Sequence, residues 1–184
     1  MRIVAGEWRR RPLKAPPGEA TRPTADRTRE TLFNILTSRL GSFEGLAVTD
    51  LFAGSGALGL EALSRGAAQC LFVEQDPEAI RALRANVAAL RAQDRSAVQA
   101  GSVLALAPAR QPYDLLLLDP PYRSGAGAVA LDRLVRLGWI GEGSWVALET
   151  AKDEPVQVKS LEVESERTVG AARITLLRRS AGQP

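Results

Sequence analysis

From residue 46 onward, short apolar runs alternate with longer stretches at helical spacing. Ala47 to Phe52 predicts a strand, Leu58 to Arg65 a helix, and Gln69 to Val73 a second strand. Asp76-Pro77 predicts the next helix start, a cap followed by proline at the first helical position, where a missing N–H is no loss. That helix is expected to reach about Arg91. Ala97 to Ala100 predicts a short strand. Tyr113 to Leu118 predicts an apolar strand of the kind buried on both faces of a parallel sheet. A helix near Ala128 to Leu137 and a strand from Ser144 to Glu149 continue the alternation. Glu162 to Arg167 and Arg173 to Arg178, separated by Gly170, predict a closing antiparallel pair. Repeated βα units followed by a hairpin predict a doubly wound α/β domain over residues 46–184.

The front of the chain reads differently. Residues 2–14 alternate briefly around a basic centre, and Gly6 allows a turn, which predicts a small β-hairpin or arm. Pro16, Pro17 and Gly18 predict a linker. Thr24 reads as an N-cap with Asp26 in the first turn. Leu32, Phe33, Ile35, Leu36 and Leu40 then follow at helical spacing, so residues 25–40 predict an amphipathic helix. Its other face carries Arg27, Arg29 and Glu30. Residues 1–45 are therefore expected to form an N-terminal extension.

Composition changes the picture in two ways. The 184 residues contain no histidine and one cysteine, Cys70. That excludes a His general base, a Ser-His-Asp triad, a His-ligated metal, an internal disulfide and a Cys zinc cluster, so no metal is expected. Cys70 falls in a strand and reads as core, which counts against a cytosine-C5 mechanism with a cysteine nucleophile. The net charge is only +3, but residues 1–39 carry nine basic and four acidic side chains. Of the 24 basic residues, all but three are arginines, which favours phosphate partners or reflects GC-rich codon usage. The N-terminus lacks a signal-peptide run, and no apolar block approaches a membrane span, so a cytoplasmic location is expected.

Two motifs carry chemistry. Asp50-Leu51-Phe52-Ala53-Gly54-Ser55-Gly56-Ala57-Leu58-Gly59 holds G-x-G-x-x-G directly after a strand and at the opening of a helix. Glu74 ends the following strand, where a carboxylate can accept both hydroxyl hydrogens of a ribose. Strand, glycines, helix and acid in register point to a nucleoside-containing cofactor, with NAD and S-adenosylmethionine both open on this motif alone. Asp119-Pro120-Pro121-Tyr122 follows the fourth strand and so belongs at the carboxyl ends, beside the first loop. An exocyclic amine on a base has two N–H donors and a delocalised lone pair. The carboxylate of Asp119 and the carbonyl of Pro120 can hold both hydrogens, and Tyr122 offers a face for stacking. A dehydrogenase has no use for that set.

These motifs together resemble the amino-methyltransferases of nucleic acid. Arg22-Pro-Thr-Ala-Asp-Arg27-Thr-Arg29-Glu30-Thr-Leu-Phe33-Asn34 closely resembles the signature of the RsmD family, as do Val4-Ala-Gly-Glu-Trp-Arg-Arg-Arg and Leu58-Gly-Leu-Glu61-Ala-Leu-Ser-Arg65-Gly-Ala. The resemblance spans nearly the whole chain. It implies a class I, Rossmann-like, seven-stranded methyltransferase sheet with helices on both faces, S-adenosylmethionine as donor, and a basic extension that binds RNA. It implies methylation of guanine N2 in 16S ribosomal RNA, on the small ribosomal subunit or an assembly intermediate. Adenine-N6 methylation of DNA or RNA is the alternative, because both amines suit Asp-Pro-Pro-Tyr. Asp50, Phe52, Gly54 and Gly56 would frame the methionine end of the donor. Glu74 and Gln75 would meet the ribose, Ser102 or its neighbours the adenine, and Asp119, Pro120, Pro121 and Tyr122 the target amine and base. Ser102 departs from the family's usual Asp or Asn and can offer adenine only a hydroxyl.

The basic front has two readings. Trp8, Arg9, Arg10, Arg11, Lys14, Arg22, Arg27 and Arg29 could face RNA, the arginines on phosphate and Trp8 by stacking. A solvated helix face with ion pairs, Asp26 with Arg29 or Arg27 with Glu30, is the other. Size suggests a monomer.

Overall fold

The apolar runs become strands β1 (Ala47–Leu51), β2 (Gln69–Glu74), β3 (Ser96–Ala100), β4 (Tyr113–Leu118) and β5 (Ile140–Ala151), all parallel to one another. β6 (Leu161–Val169) and β7 (Ala172–Arg179) close the sheet as the expected antiparallel pair. The computed structural model describes residues 1–19 and 23–179, apart from the side chains of Pro23 and Thr24. The strand order is β3-β2-β1-β4-β5-β7-β6. The order reverses between β1 and β4, and the crevice at the carboxyl ends of those two strands is where a doubly wound sheet binds ligands.

The four leucines of β4 divide the core. Leu115 and Leu117 pack on one face with Phe33, Leu36, Leu60, Phe72 and Leu83. Leu116 and Leu118 pack on the other with Leu131, Leu134, Trp139 and Leu148. Side chains alternate along a strand, so a strand covered on both faces must be apolar throughout. Helices α1 (Pro23–Leu40), α2 (Ala57–Ser64) and α3 (Pro77–Ala89) supply the first layer, and α4 (Ala126–Arg136) the second. Asp76 caps α3 as predicted, its Oδ2 accepting the N–H of Ala79 at 2.9 Å.

Two expectations are revised. α1 begins at Pro23, so Thr24 lies inside the first turn rather than capping it. β5 begins at Ile140, four residues early, because Gly141 and Gly143 weaken the strand pattern while pairing to its neighbours overrides propensity. Residues 2–14 form the expected small arm, folded back on itself by one antiparallel bridge, Arg2 to Pro12, and by the N–H groups of Ile3, Arg10 and Leu13 donating to the carbonyls of Arg11, Ile3 and Met1.

The rest of the arm's backbone is tied to the helices. Val4 and Ala5 donate their N–H groups to the two oxygens of Glu61, and Trp8 donates to Ser64 Oγ. Lys14 donates to Asn86 Oδ1, whose amide returns a bond to the Lys14 carbonyl. Ile3, Trp8 and Leu13 are buried against α2 and α3. Glu61 is itself fully buried, held by Arg65 at 3.0 Å and Arg29 at 3.5 Å.

Candidate active site

A cavity of about 830 Å³ opens at the crevice between β1 and β4. It brings together Asp50, Phe52, Gly54, Glu74, Gln75, Ser102 and the whole of Asp119 to Tyr122, residues drawn from four separate loops. Gly56 lies beneath the loop and does not line it.

The glycine loop is shaped by close packing. Phe52, at φ 60, occupies the left-handed region that side chains avoid, and turns the chain off β1 toward the cavity. Gly59 lets α2 approach β2, since a Cβ there would meet Phe72 Cε1 at 2.4 Å and Cys70 Sγ at 2.7 Å. Its N–H donates to Asp50 Oδ2 at 2.9 Å.

Two acids flank this loop. Asp50 is buried, and its Oδ1 has no hydrogen-bond partner. Burial first, and the charge of Glu74 further, push its pKa up to about 8 against the pull of the Gly59 N–H. Glu74 is oriented by three backbone donors: Gly54 on Oε1 at 2.8 Å, and Gln75 and Asp76 on Oε2 at 2.9 Å each. Its remaining lone pairs can accept hydroxyls. Ser102 Oγ accepts the N–H of Leu104 at 3.1 Å and so caps the turn Val103–Ala105, whose Val103 and Leu104 give the cavity an apolar wall.

The second motif forms the facing wall. Leu118 pairs in register with Leu148, so Asp119 and Glu149 follow side by side at the carboxyl ends of β4 and β5. Asp119 is open to the cavity but hemmed by its walls. That enclosure, then the charges of Glu149, Asp50 and Glu19, raise its pKa well above the usual carboxylate range. Pro120 is buried, whereas the Tyr122 ring is exposed. The Tyr122 hydroxyl donates to Glu149 Oε1 at 2.5 Å. Burial raises Glu149 despite that bond, and raises Tyr122 in turn. The corner is braced from outside by the Arg123 N–H on Glu154 Oε2 at 2.9 Å and by the Arg123–Asp153 ion pair at 3.0 Å.

An orphaned buried carboxylate oxygen, a pre-oriented acid for a diol and an apolar slot fit one molecule in order: a cationic amino-acid tail, a ribose and a purine. S-adenosylmethionine has that make-up.

The candidate RNA-facing residues divide. Arg9, Arg10, Arg11, Lys14 and Arg27 are exposed. Trp8 is not available for stacking on RNA: it is 6% exposed, with the Arg95 guanidinium over its ring at 4.9 Å. Arg29 is 4% exposed and pairs with Asp26 and Glu61 and with the Arg2 carbonyl, so it holds the arm rather than facing outward. Arg22 lies outside the described residues. Sequence reasoning missed Glu149, although the predicted strand ended on it; what was lacking was the knowledge that β5 neighbours β4.

The sequence model of the family described as "Conserved hypothetical protein 95" matches residues 1–178. The chain belongs to that family. It is 35% identical over 183 residues to the protein named "Ribosomal RNA small subunit methyltransferase D" in Escherichia coli (strain K12), covering 98% of this chain and 91% of that one. It is 38% identical over 160 residues to the protein of the same name in Haemophilus influenzae, covering 85% and 81%. The solved structure of yhhF from Escherichia coli superposes with a TM-score of 0.84 at 34% identity, covering 98% of both chains. The family resemblance and the Rossmann-like methyltransferase fold expected from the sequence are thereby shown, and the chain is an S-adenosylmethionine-dependent methyltransferase.

Proposed function

We propose that this methyltransferase transfers a methyl group from S-adenosylmethionine to the exocyclic N2 amine of a guanine in small-subunit (16S) ribosomal RNA, acting as a monomer on the small subunit or an assembly intermediate. The observation that carries the reading is the opening of Asp119-Pro120-Pro121-Tyr122 into the same cavity as Asp50 and Glu74. The printed names of the Escherichia coli and Haemophilus influenzae relatives support ribosomal RNA as substrate.

When bound, S-adenosylmethionine supplies a methyl made electrophilic by its sulfonium. Asp50, Phe52 and Gly54 would frame the methionine end, with Gly56 packed beneath them; Glu74 and Gln75 would meet the ribose, and Ser102 with its neighbours the purine. Asp119 and the Pro120 carbonyl accept the two amine hydrogens and return electron density to the nitrogen. Tyr122 stacks on the base. Pro120 and Pro121 hold the corner rigid, so most of the rate enhancement is placement. Asp119, made more basic by its enclosure, takes the proton that the methylated amine releases.

Transfer of labelled methyl to small-subunit RNA and to assembled particles, followed by mapping of the modified base, tests this. N2-methylguanosine is expected; N6-methyladenosine as the sole product overturns the guanine assignment. Asp119→Ala is expected to abolish turnover while S-adenosylmethionine affinity, read by calorimetry, stays near normal. Loss of both would make Asp119 structural.

A further inference from the structure

Glu149 has a place in the site that the transfer step above does not use. It lines the cavity beside Asp119, and its Oε1 receives the Tyr122 hydroxyl. Among the described residues, no other donor reaches it. A carboxylate has two oxygens, and the Tyr122 hydroxyl occupies only one of them, which leaves the other as an acceptor on a residue that lines the cavity.

The bases that suit an Asp-Pro-Pro-Tyr corner differ at the atom next to the amine. In guanine the N2 amine stands between N1–H, a donor, and N3, an acceptor, and the N1 edge is the one that differs from adenine. In adenine the neighbour of the N6 amine is N1 with a lone pair, an acceptor. A base whose amine is held between Asp119 and the Pro120 carbonyl, with its plane against Tyr122, turns that neighbouring ring atom along the wall. The next strand over presents Glu149 there.

We propose that Glu149 is the residue that selects guanine, by accepting the N1–H of the target base while Asp119 accepts its amine. Two adjacent carboxylates match two adjacent donors. The same pair sets an acceptor against the N1 lone pair of adenine and rejects it. The Tyr122 hydroxyl anchors one oxygen of the Glu149 carboxylate, so the stacking residue also steadies the selecting one. The inference rests on the guanine-N2 reading and deepens it.

The test uses 2-aminopurine, which keeps the amine at the guanine position but carries a lone pair in place of N1–H. Small-subunit RNA with either guanine or 2-aminopurine at the mapped position is offered to the full-length enzyme. The wild-type protein is expected to prefer guanine about 10- to 100-fold in kcat/KM, the discrimination typical of one well-placed recognition contact. Glu149→Gln keeps an acceptor for Tyr122 and gains an amide donor for a ring lone pair. It is expected to level or invert the preference. Tyr122→Phe removes the hydroxyl and leaves the carboxylate, and is expected to weaken methylation of both bases while guanine stays preferred.

Equal use of the two bases by wild-type protein overturns the inference without any variant. So does Glu149→Gln that slows both substrates by one common factor. Each of these leaves guanine-N2 methylation standing. Failure of wild-type protein to methylate guanine at all overturns the underlying reading instead.

Discussion

At the scale of single residues, acids buried without full compensation dominate the energetics. Asp50 ionises near 3.8 when unfolded, but holds its proton to about 8 when folded. Folding therefore binds a proton between those values. The stability that this group contributes below pH 4 is lost as pH rises through 8. Urea unfolding of the ligand-free protein is expected to show that loss, and Asp50→Asn, which keeps an acceptor for the Gly59 N–H, is expected to flatten it. An unchanged pH slope in the variant would mean that Asp50 titrates normally. Glu61 is the opposite case, a buried carboxylate fully engaged by Arg29, Arg65 and two backbone N–H groups. Glu61→Ala strands two guanidiniums and releases the arm, with an expected cost of about 3–5 kcal/mol in denaturant unfolding. Glu61 was legible only as part of a family signature, since nothing in a helix heptad marks an acid as buried.

At the scale of elements, the glycine loop depends on how closely α2 lies on β2. Gly59→Ala puts a methyl into the Phe72 ring and the Cys70 sulfur, neither of which is the loose end of a flexible chain. Overpacking of this kind costs about 1–3 kcal/mol. It also lifts the N–H that holds Asp50, so calorimetry is expected to show weaker S-adenosylmethionine binding along with the lower unfolding midpoint. β4 shows what local pattern can and cannot say. Its bounds, Tyr113 to Leu118, agree with the expectation because four leucines in a row can only be a strand buried on both faces. The arm shows the converse. Its alternation suggested a hairpin or arm, and its ends do pair, but the N–H groups of Val4, Ala5, Trp8 and Lys14 bond to Glu61, Ser64 and Asn86, residues more than 50 positions away in the chain.

At the scale of the whole molecule, the arm carries its exposed Arg9, Arg10 and Arg11 beside α3, where Arg11 donates to the Ala89 carbonyl at 2.7 Å. Replacing the three by glutamine is expected to weaken RNA binding and to lower its log–log salt slope by roughly 2 to 3, if each meets one phosphate. An unchanged slope returns the run to plain surface. Trp8→Ala, at the residue next to Arg9 but buried, is expected to act on stability instead, at about 3–5 kcal/mol in urea unfolding.

The strands, the glycine loop, Glu74 and the Asp-Pro-Pro-Tyr corner could be named from the chain alone, because each depends on a periodicity or on covalent neighbours. Which arginines face solvent, where Trp8 goes and that Glu149 stands beside Asp119 were decided by tertiary structure alone. Burial and strand adjacency depend on residues far apart in the chain, and no local spacing of polar and apolar positions encodes which distant element will cover a side chain.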